Sequence, residues 1–193
     1  NKESLEQKGR IRMRLDPKNT MAIAVDYQEK LIPAIDEHEE VVRQSVKLLT
    51  GLKELGIPVL VSQQYTKGLG PTISPIRSVL GEDMMYWEKS TFSLLQTPEI
   101  KTAIYRMQKR NIILCGTECH ICVMQTALDL LEEHFNVYVP VDCVGSRKPL
   151  DKKYGCKRMA QEGAFYATSE SLLYELSSGA QNPHFKAISK LTK

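Results

Sequence analysis

The 193-residue sequence predicts an α/β fold in one domain, a three-layer α/β/α sandwich with a mainly parallel sheet. Three observations point there. Short runs such as MAIAVD (21–26) and NIILCG (111–116) are continuously apolar, as strands buried on both faces are. Such runs alternate along the chain with stretches of helical spacing, the pattern of a parallel sheet. No internal repeat and no compositional break divides the chain, so a single domain over 1–193 is expected.

In chain order, MAIAVD reads as a buried strand that ends on a carboxylate. Apolar positions Val41, Val42, Leu48, Leu49, Leu52 and Leu55, with Ser45 as the small exception, predict a helix from Glu37 to Leu55 closed by Gly56. IPVLVSQ (57–63) is a second strand, and KGLGPTISP reads as an irregular loop because of its glycines and prolines. DMMYWEK (83–89) reads as a short third strand. Residues 97–109 follow as a helix, with Thr97 as candidate cap before Pro98. NIILCG is the fourth strand. HICVMQTALDLLEEHF, apolar on nearly every side until Glu132, is then a largely buried helix. NVYVPVD (136–142) and AFYAT (164–168) supply strands five and six, with helices at 151–162, 169–177 and in the tail NPHFKAISKL.

Composition excludes some classes of function. Hydrophobic residues make up 42% and charged residues 25%, as in ordinary globular chains. The 26 basic and 23 acidic residues are interspersed and leave a formal charge of +3, too little to favour nucleic acid. The densest basic run, Lys8, Arg10, Arg12 and Arg14, reads as part of a flexible leader over 1–18. No apolar run approaches the ~20 residues that span a bilayer, and the first stretch lacks a signal-peptide core. Five cysteines, an odd number, fit reduced thiols and a cytoplasmic location. Because the chain starts at Asn1 rather than Met, organellar targeting stays open.

In parallel α/β sheets ligands bind beyond the carboxyl ends of the strands. Asp26, Lys89 and Cys122 all fall at or just past such an end. Cys122 closes the C-x3-C-x2-C array Cys115, Cys119, Cys122. An iron–sulfur cluster needs three converging sulfurs, whereas Cys115 should lie in a strand and Cys122 in a helix. Zinc needs a second ligand pair, and His38, His134 and His184 are scattered. Haem attachment fails because Val123, not histidine, follows Cys122. A thioredoxin-like Cys119/Cys122 pair ranks second to a single nucleophile.

A thiol in the first turn of a helix meets the positive end of the dipole, and nearby N–H groups can receive an oxyanion. Asp26 needs a partner at the end of a buried strand, and Lys89 could pair with it and lower the pKa of the thiol. On these residues alone, a structural cysteine beside an ion pair fits as well as a reactive site.

AVDYQ (24–28), WEKSTFS (87–93) and LCGTECHICVMQTALDLL (114–131) resemble, in order and spacing, three motifs of the isochorismatase-like cysteine hydrolases. QQYTKGLGPT (63–72), ATSESLLYEL (167–176) and the tail resemble most the isochorismatase domain-containing subgroup. The resemblance implies a six-stranded sheet of order 3-2-1-4-5-6 and an Asp–Lys–Cys triad. Asp26 would be general base and acid, Lys89 the orienting cation, and Cys122 the nucleophile. It also implies a cis peptide between Thr117 and Glu118, and an oxyanion hole from the N–H groups of Glu118 and Cys122. The expected activity is hydrolysis of an amide or related C–N bond of a small molecule through a thioester, in a homo-oligomer. Metal-binding relatives place an aspartate and histidines after the second strand; QQYTKGLGPT has no histidine, so neither metal nor cofactor is expected.

Tyr27, Gln28, Tyr65, Trp87 and Phe92 flank the triad in sequence and are candidates to line a substrate pocket, with core packing as the alternative. Arg147 is a candidate for an anionic substrate, although an exposed loop arginine is the plainer reading. Two other classes stay open: a non-catalytic scaffold with an unreactive Cys122, and a nuclease or RNA-associated protein.

Overall fold

The computed structural model describes residues 14–193. A mostly parallel sheet is built from β1 (Thr20–Val25), β2 (Val59–Gln64), β3 (Tyr86–Lys89), β4 (Asn111–Thr117), β5 (Asn136–Pro140), β6 (Val144–Gly145) and β7 (Phe165–Ala167). Its order is β3-β2-β1-β4-β5-β7, with β6 paired to the end of β4. Among the described residues the sheet thus has seven strands rather than six, and the main path keeps the expected order. The extra strand is only two residues long and pairs with Gly116 and Thr117, too little sequence to show a period.

The helices are α1 (His38–Glu54), α2 (Thr66–Leu69), α3 (Ser74–Leu80), α4 (Pro98–Arg106), α5 (Met124–Glu132), α6 (Pro149–Gln161), α7 (Ser169–Ser177) and α8 (Phe185–Leu191). Two of them fall in the stretch expected to be irregular. Pro75 lies in the first turn of α3, where its missing N–H costs nothing, so it starts a helix rather than breaking one. Ile76 and Leu80, four residues apart, then bury one face. Thr97 precedes α4 but makes no side-chain cap; its hydroxyl meets that of Thr91 at 2.9 Å instead.

Strand alternation divides the core between the two faces of the sheet. Met21, Ile23 and Val25 of β1 pack with Ile112 and Leu114 of β4 beneath α4, α5 and α6, where Ile100, Ile104, Leu130 and Met159 are buried. Ala22 and Ala24 pack with Ile113 and Cys115 on the opposite face, against Leu48, Leu49 and Leu52 of α1 and Leu172 and Leu173 of α7. Ser45, the polar interruption in the α1 stripe, is buried with its hydroxyl donating to the Val41 carbonyl and meeting the Tyr27 hydroxyl at 2.7 Å. Of the leader expected over 1–18, residues 1–13 lie outside the described residues. Leu15 is buried, and its N–H donates to Glu175 at 2.7 Å.

Parallel register brings the strand ends to one rim. Val25 stands beside Ser62 and Gly116, and Gln64 beside Lys89. Gly116 has φ of 126°, and a Cβ there would lie 2.1 Å from the Val25 carbonyl oxygen. Only glycine lets β1 and β4 meet at this point. Gly116→Ala is therefore expected to destabilise the fold by about 3 kcal/mol or more, read as a lower urea midpoint with an unchanged slope.

Candidate functional site

Asp26 follows β1 in the left-handed region (φ 50°), which turns the chain off the sheet. Its carboxylate and the Lys89 ammonium at the end of β3 form an ion pair of 2.9 Å, with both side chains wholly buried. The pair is held on all sides. The Ser62 hydroxyl donates to the other Asp26 oxygen at 2.8 Å. Lys89 also donates to the Gln64 side-chain oxygen at 2.6 Å and to the Thr91 carbonyl at 3.2 Å. The Thr117 hydroxyl donates to the Asp26 carbonyl at 2.7 Å, tying β4 to the same turn.

After β4 the Thr117–Glu118 peptide is cis. Residues Cys119–Val123 form a wide π-helical turn, with the Val123 N–H donating to the Glu118 carbonyl at 3.2 Å. The regular helix starts at Met124, later than the apolar pattern from His120 suggested. A π turn widens the backbone at an unchanged residue pattern, so side-chain periodicity does not disclose it. Cys122 is 7% exposed in this turn. Asp26 and Lys89 are the two charged groups that act on its thiol.

Burial first, and the Asp26 charge second, push the Cys122 thiol up to about 12, and the opposing pull of Lys89 is weaker. The expected lowering of this pKa is thus corrected. The ammonium is already matched by the Asp26 carboxylate, so little of its field is left to support a thiolate. The thiol thus holds its proton more firmly than a free cysteine does, and the Asp26 carboxylate is the stronger of the two charges acting on it.

The three cysteines of the array do not converge. Cys115 lies under the opposite face of the sheet, its thiol donating weakly to the Ile23 carbonyl at 3.7 Å. Cys119 and Cys122 share the other face, yet the Cys119 sulfur meets Cys156 of α6 at 3.6 Å. Among the described residues, no group of three or more His, Cys, Asp or Glu side chains is placed to hold a metal ion.

Of the five candidate pocket residues, two belong to the framework. Tyr27 is fully buried on the α1 side, its hydroxyl donating to the Cys143 carbonyl at 3.0 Å. The left-handed turn at Asp26 sends the next side chain into that core. Gln28 is also buried and clamps neighbouring loops, donating to the carbonyls of Gln64 and Gly70 at 2.8 Å and accepting from the Gln64 N–H at 2.6 Å. Tyr65 and Phe92 are 56% and 52% exposed on segments that leave β2 and β3, and Trp87 is half-buried against the core. Arg147 donates to Glu118 at 2.8 Å and so neutralises a carboxylate beside the turn. Ser62 and Gln64 escaped the reading of the sequence, and Thr117 was expected there only for its cis peptide, not for its hydroxyl. The signal for the first two is two polar side chains, alternating on one face, at the end of a buried strand.

Comparison with known proteins agrees with this architecture. The family model described as Isochorismatase domain matches residues 20–171. Isochorismatase domain-containing protein 2 of Xenopus laevis is 36% identical over 92% of this chain and 85% of its own. Longer relatives with the domain are spanned for 62% of their length. A solved structure described as MAR1 ribonuclease from Caenorhabditis elegans is 37% identical over 92% of this chain and 91% of that one, with a TM-score of 0.87. The YcaC gene product of Escherichia coli, described as an octameric hydrolase of unknown specificity, is 22% identical over 94% and 90% of the two chains and shares the fold with a TM-score of 0.88. Matched over most of its length by family model and relatives alike, the chain belongs to the isochorismatase family.

Proposed function

We propose that the protein is a cysteine hydrolase that opens an amide or related C–N bond of a small molecule, with Cys122 as nucleophile, Asp26 as proton carrier and Lys89 as orienting cation. The observation that carries this reading is a buried, fully hydrogen-bonded carboxylate–ammonium pair whose charges act on the buried Cys122 thiol at one rim of the sheet. A thiol held neutral by burial needs a base at the moment of attack, and the Asp26 charge acting on the Cys122 thiol supports Asp26 in that role.

In the first half-reaction Asp26 accepts the Cys122 proton as the sulfur bonds to the substrate carbonyl carbon. The N–H groups of Glu118 and Cys122 would receive the oxyanion. Collapse breaks the C–N bond, Asp26 passes the proton to the leaving nitrogen, and a thioester remains. Water then attacks the thioester while Asp26 accepts its proton. The Cys122 sulfur leaves and is reprotonated, which restores the resting state. Lys89 keeps the carboxylate aimed between proton transfers. Tyr65, Trp87 and Phe92 are the candidates to contact the substrate.

Within the same proposal the protein is a cytoplasmic homo-oligomer. All five cysteines are free thiols, and no helix among the described residues is long and apolar enough to cross a membrane.

Cleavage of RNA is a second reading, favoured by the 37% identity to the C. elegans structure described as a ribonuclease. Incubation with single-stranded and structured RNA separates the two. Cleavage that persists in Cys122→Ala would assign it to residues outside this site.

Cys122→Ala is expected to abolish turnover of every substrate found in an amide library, and undiminished activity would remove Cys122 as nucleophile. Asp26→Asn should split two readouts. Turnover falls by about two orders of magnitude or more, because the amide cannot carry the proton. Alkylation of Cys122 by iodoacetamide at neutral pH speeds up, because a negative charge that raised the thiol pKa is gone. Lys89→Met leaves a buried carboxylate unpaired and is expected to cost about 3–5 kcal/mol in urea unfolding.

A further inference from the structure

The hydrolytic cycle uses one of five thiols, and two of the others are in contact. Cys119 opens the wide turn, and Cys156 lies on α6; their sulfurs are 3.6 Å apart. A disulfide needs about 2.05 Å, so a short approach separates contact from a bond. The two segments are already pressed together at the neighbouring residues. A Cβ on Gly155 would lie 2.8 Å from the His120 Cα, so the helix beside Cys156 rides directly on the backbone beside Cys119. The Cys119 thiol also reaches the Lys152 carbonyl, one turn earlier on α6, at 3.9 Å.

The two sulfurs differ in access and in charge. Cys119 is buried, while Cys156 is partly open to solvent. Hydrogen bonding from Cys119, helped by the Tyr166 hydroxyl and the Lys152 charge, brings the Cys156 thiol down to about 7. The same contact, with burial, pushes the Cys119 thiol well up. One partner is thus ready to attack as thiolate, and the other holds a proton in reserve.

We propose that Cys156 and Cys119 form a reversible redox pair, in which Cys156 reduces hydrogen peroxide and Cys119 closes a disulfide that staples α6 to the turn carrying Cys122. In the first step the Cys156 thiolate attacks one peroxide oxygen. The S–O bond forms, the O–O bond breaks, and hydroxide leaves and is protonated to water. In the second, the Cys119 sulfur attacks the sulfenic acid of Cys156. The S–S bond forms, the S–O bond breaks, and the departing oxygen takes the Cys119 proton to leave as a second water. Two thiols have lost two electrons and two hydrogens, and one peroxide has become two waters. A dithiol reductant reverses the change by exchange.

The test is peptide mapping of the folded, full chain after equimolar hydrogen peroxide at neutral pH, with remaining thiols capped by N-ethylmaleimide. The expected product is one cross-link, between Cys119 and Cys156, assigned by fragmentation and removed by dithiothreitol. It should form equally in Cys122→Ser, since the exchange does not pass through Cys122. Cys119→Ser should leave a sulfenic acid on Cys156 that dimedone captures. A Cys119–Cys122 cross-link, a cross-link that requires Cys122, or no cross-link in the wild-type chain while a reference dithiol closes would each overturn the proposal. The hydrolase reading would survive any of these outcomes, because it assigns no role to Cys156.

Discussion

A buried charge pair sets the terms for the rest of this molecule. Removing a carboxylate and an ammonium from water costs several kcal/mol for each ion, recovered only if every donor and acceptor finds a partner. Lys89 has three N–H donors, and three acceptors meet them: the Asp26 carboxylate, the Gln64 side chain and the Thr91 carbonyl. These groups come from different strands and the loops beyond them, so they meet only if β1, β2 and β3 end in register. The close approach of Val25 and Gly116 brings β4, and with it the Cys122 turn, to the same rim. Much of the fold is thus needed to bring a few polar atoms together.

The five cysteines show how surroundings, rather than residue type, set thiol chemistry. Cys115 and Cys143, enclosed in the core under α1 and α7, are pushed up mainly by loss of water and act as small apolar side chains. Cys122 is also pushed up by burial, but it alone of these three feels both the Asp26 carboxylate and the Lys89 ammonium. Cys156 moves the other way, because its neighbours can stabilise a negative sulfur. Spacing within CGTECHIC carries none of these distinctions. They arise from which face of the sheet, or which helix, each sulfur meets.

Much of the fold was legible in the sequence, because a strand buried on both faces must be continuously apolar, and β1 and β4 are. The α1 stripe was equally plain, down to the serine that the Tyr27 hydroxyl explains. What stayed hidden depended on tertiary context. Pro75 looks like a breaker until its place in the first turn of α3 is known. Tyr27 follows Asp26 directly and so looked like a pocket residue, but the left-handed backbone at Asp26 sends it to the opposite side. The sequence placed Asp26, Lys89 and Cys122 at strand ends, yet the sign of the Cys122 shift turned first on burial and then on the Asp26 charge, and both depend on tertiary packing. Cys156 stands 37 residues from Cys119 and carries no motif, so only packing of α6 on the turn reveals the contact.

The chemistry proposed for this rim rests on a Cys122 sulfur that burial and the Asp26 charge hold in its protonated form. Infrared difference spectroscopy between the protein and Cys122→Ala reads that sulfur through its S–H stretch. The expected result is a Cys122 S–H band at neutral pH that disappears only as the pH is raised towards about 12. A spectrum with no such band at neutral pH, indicating a resting thiolate, would contradict it.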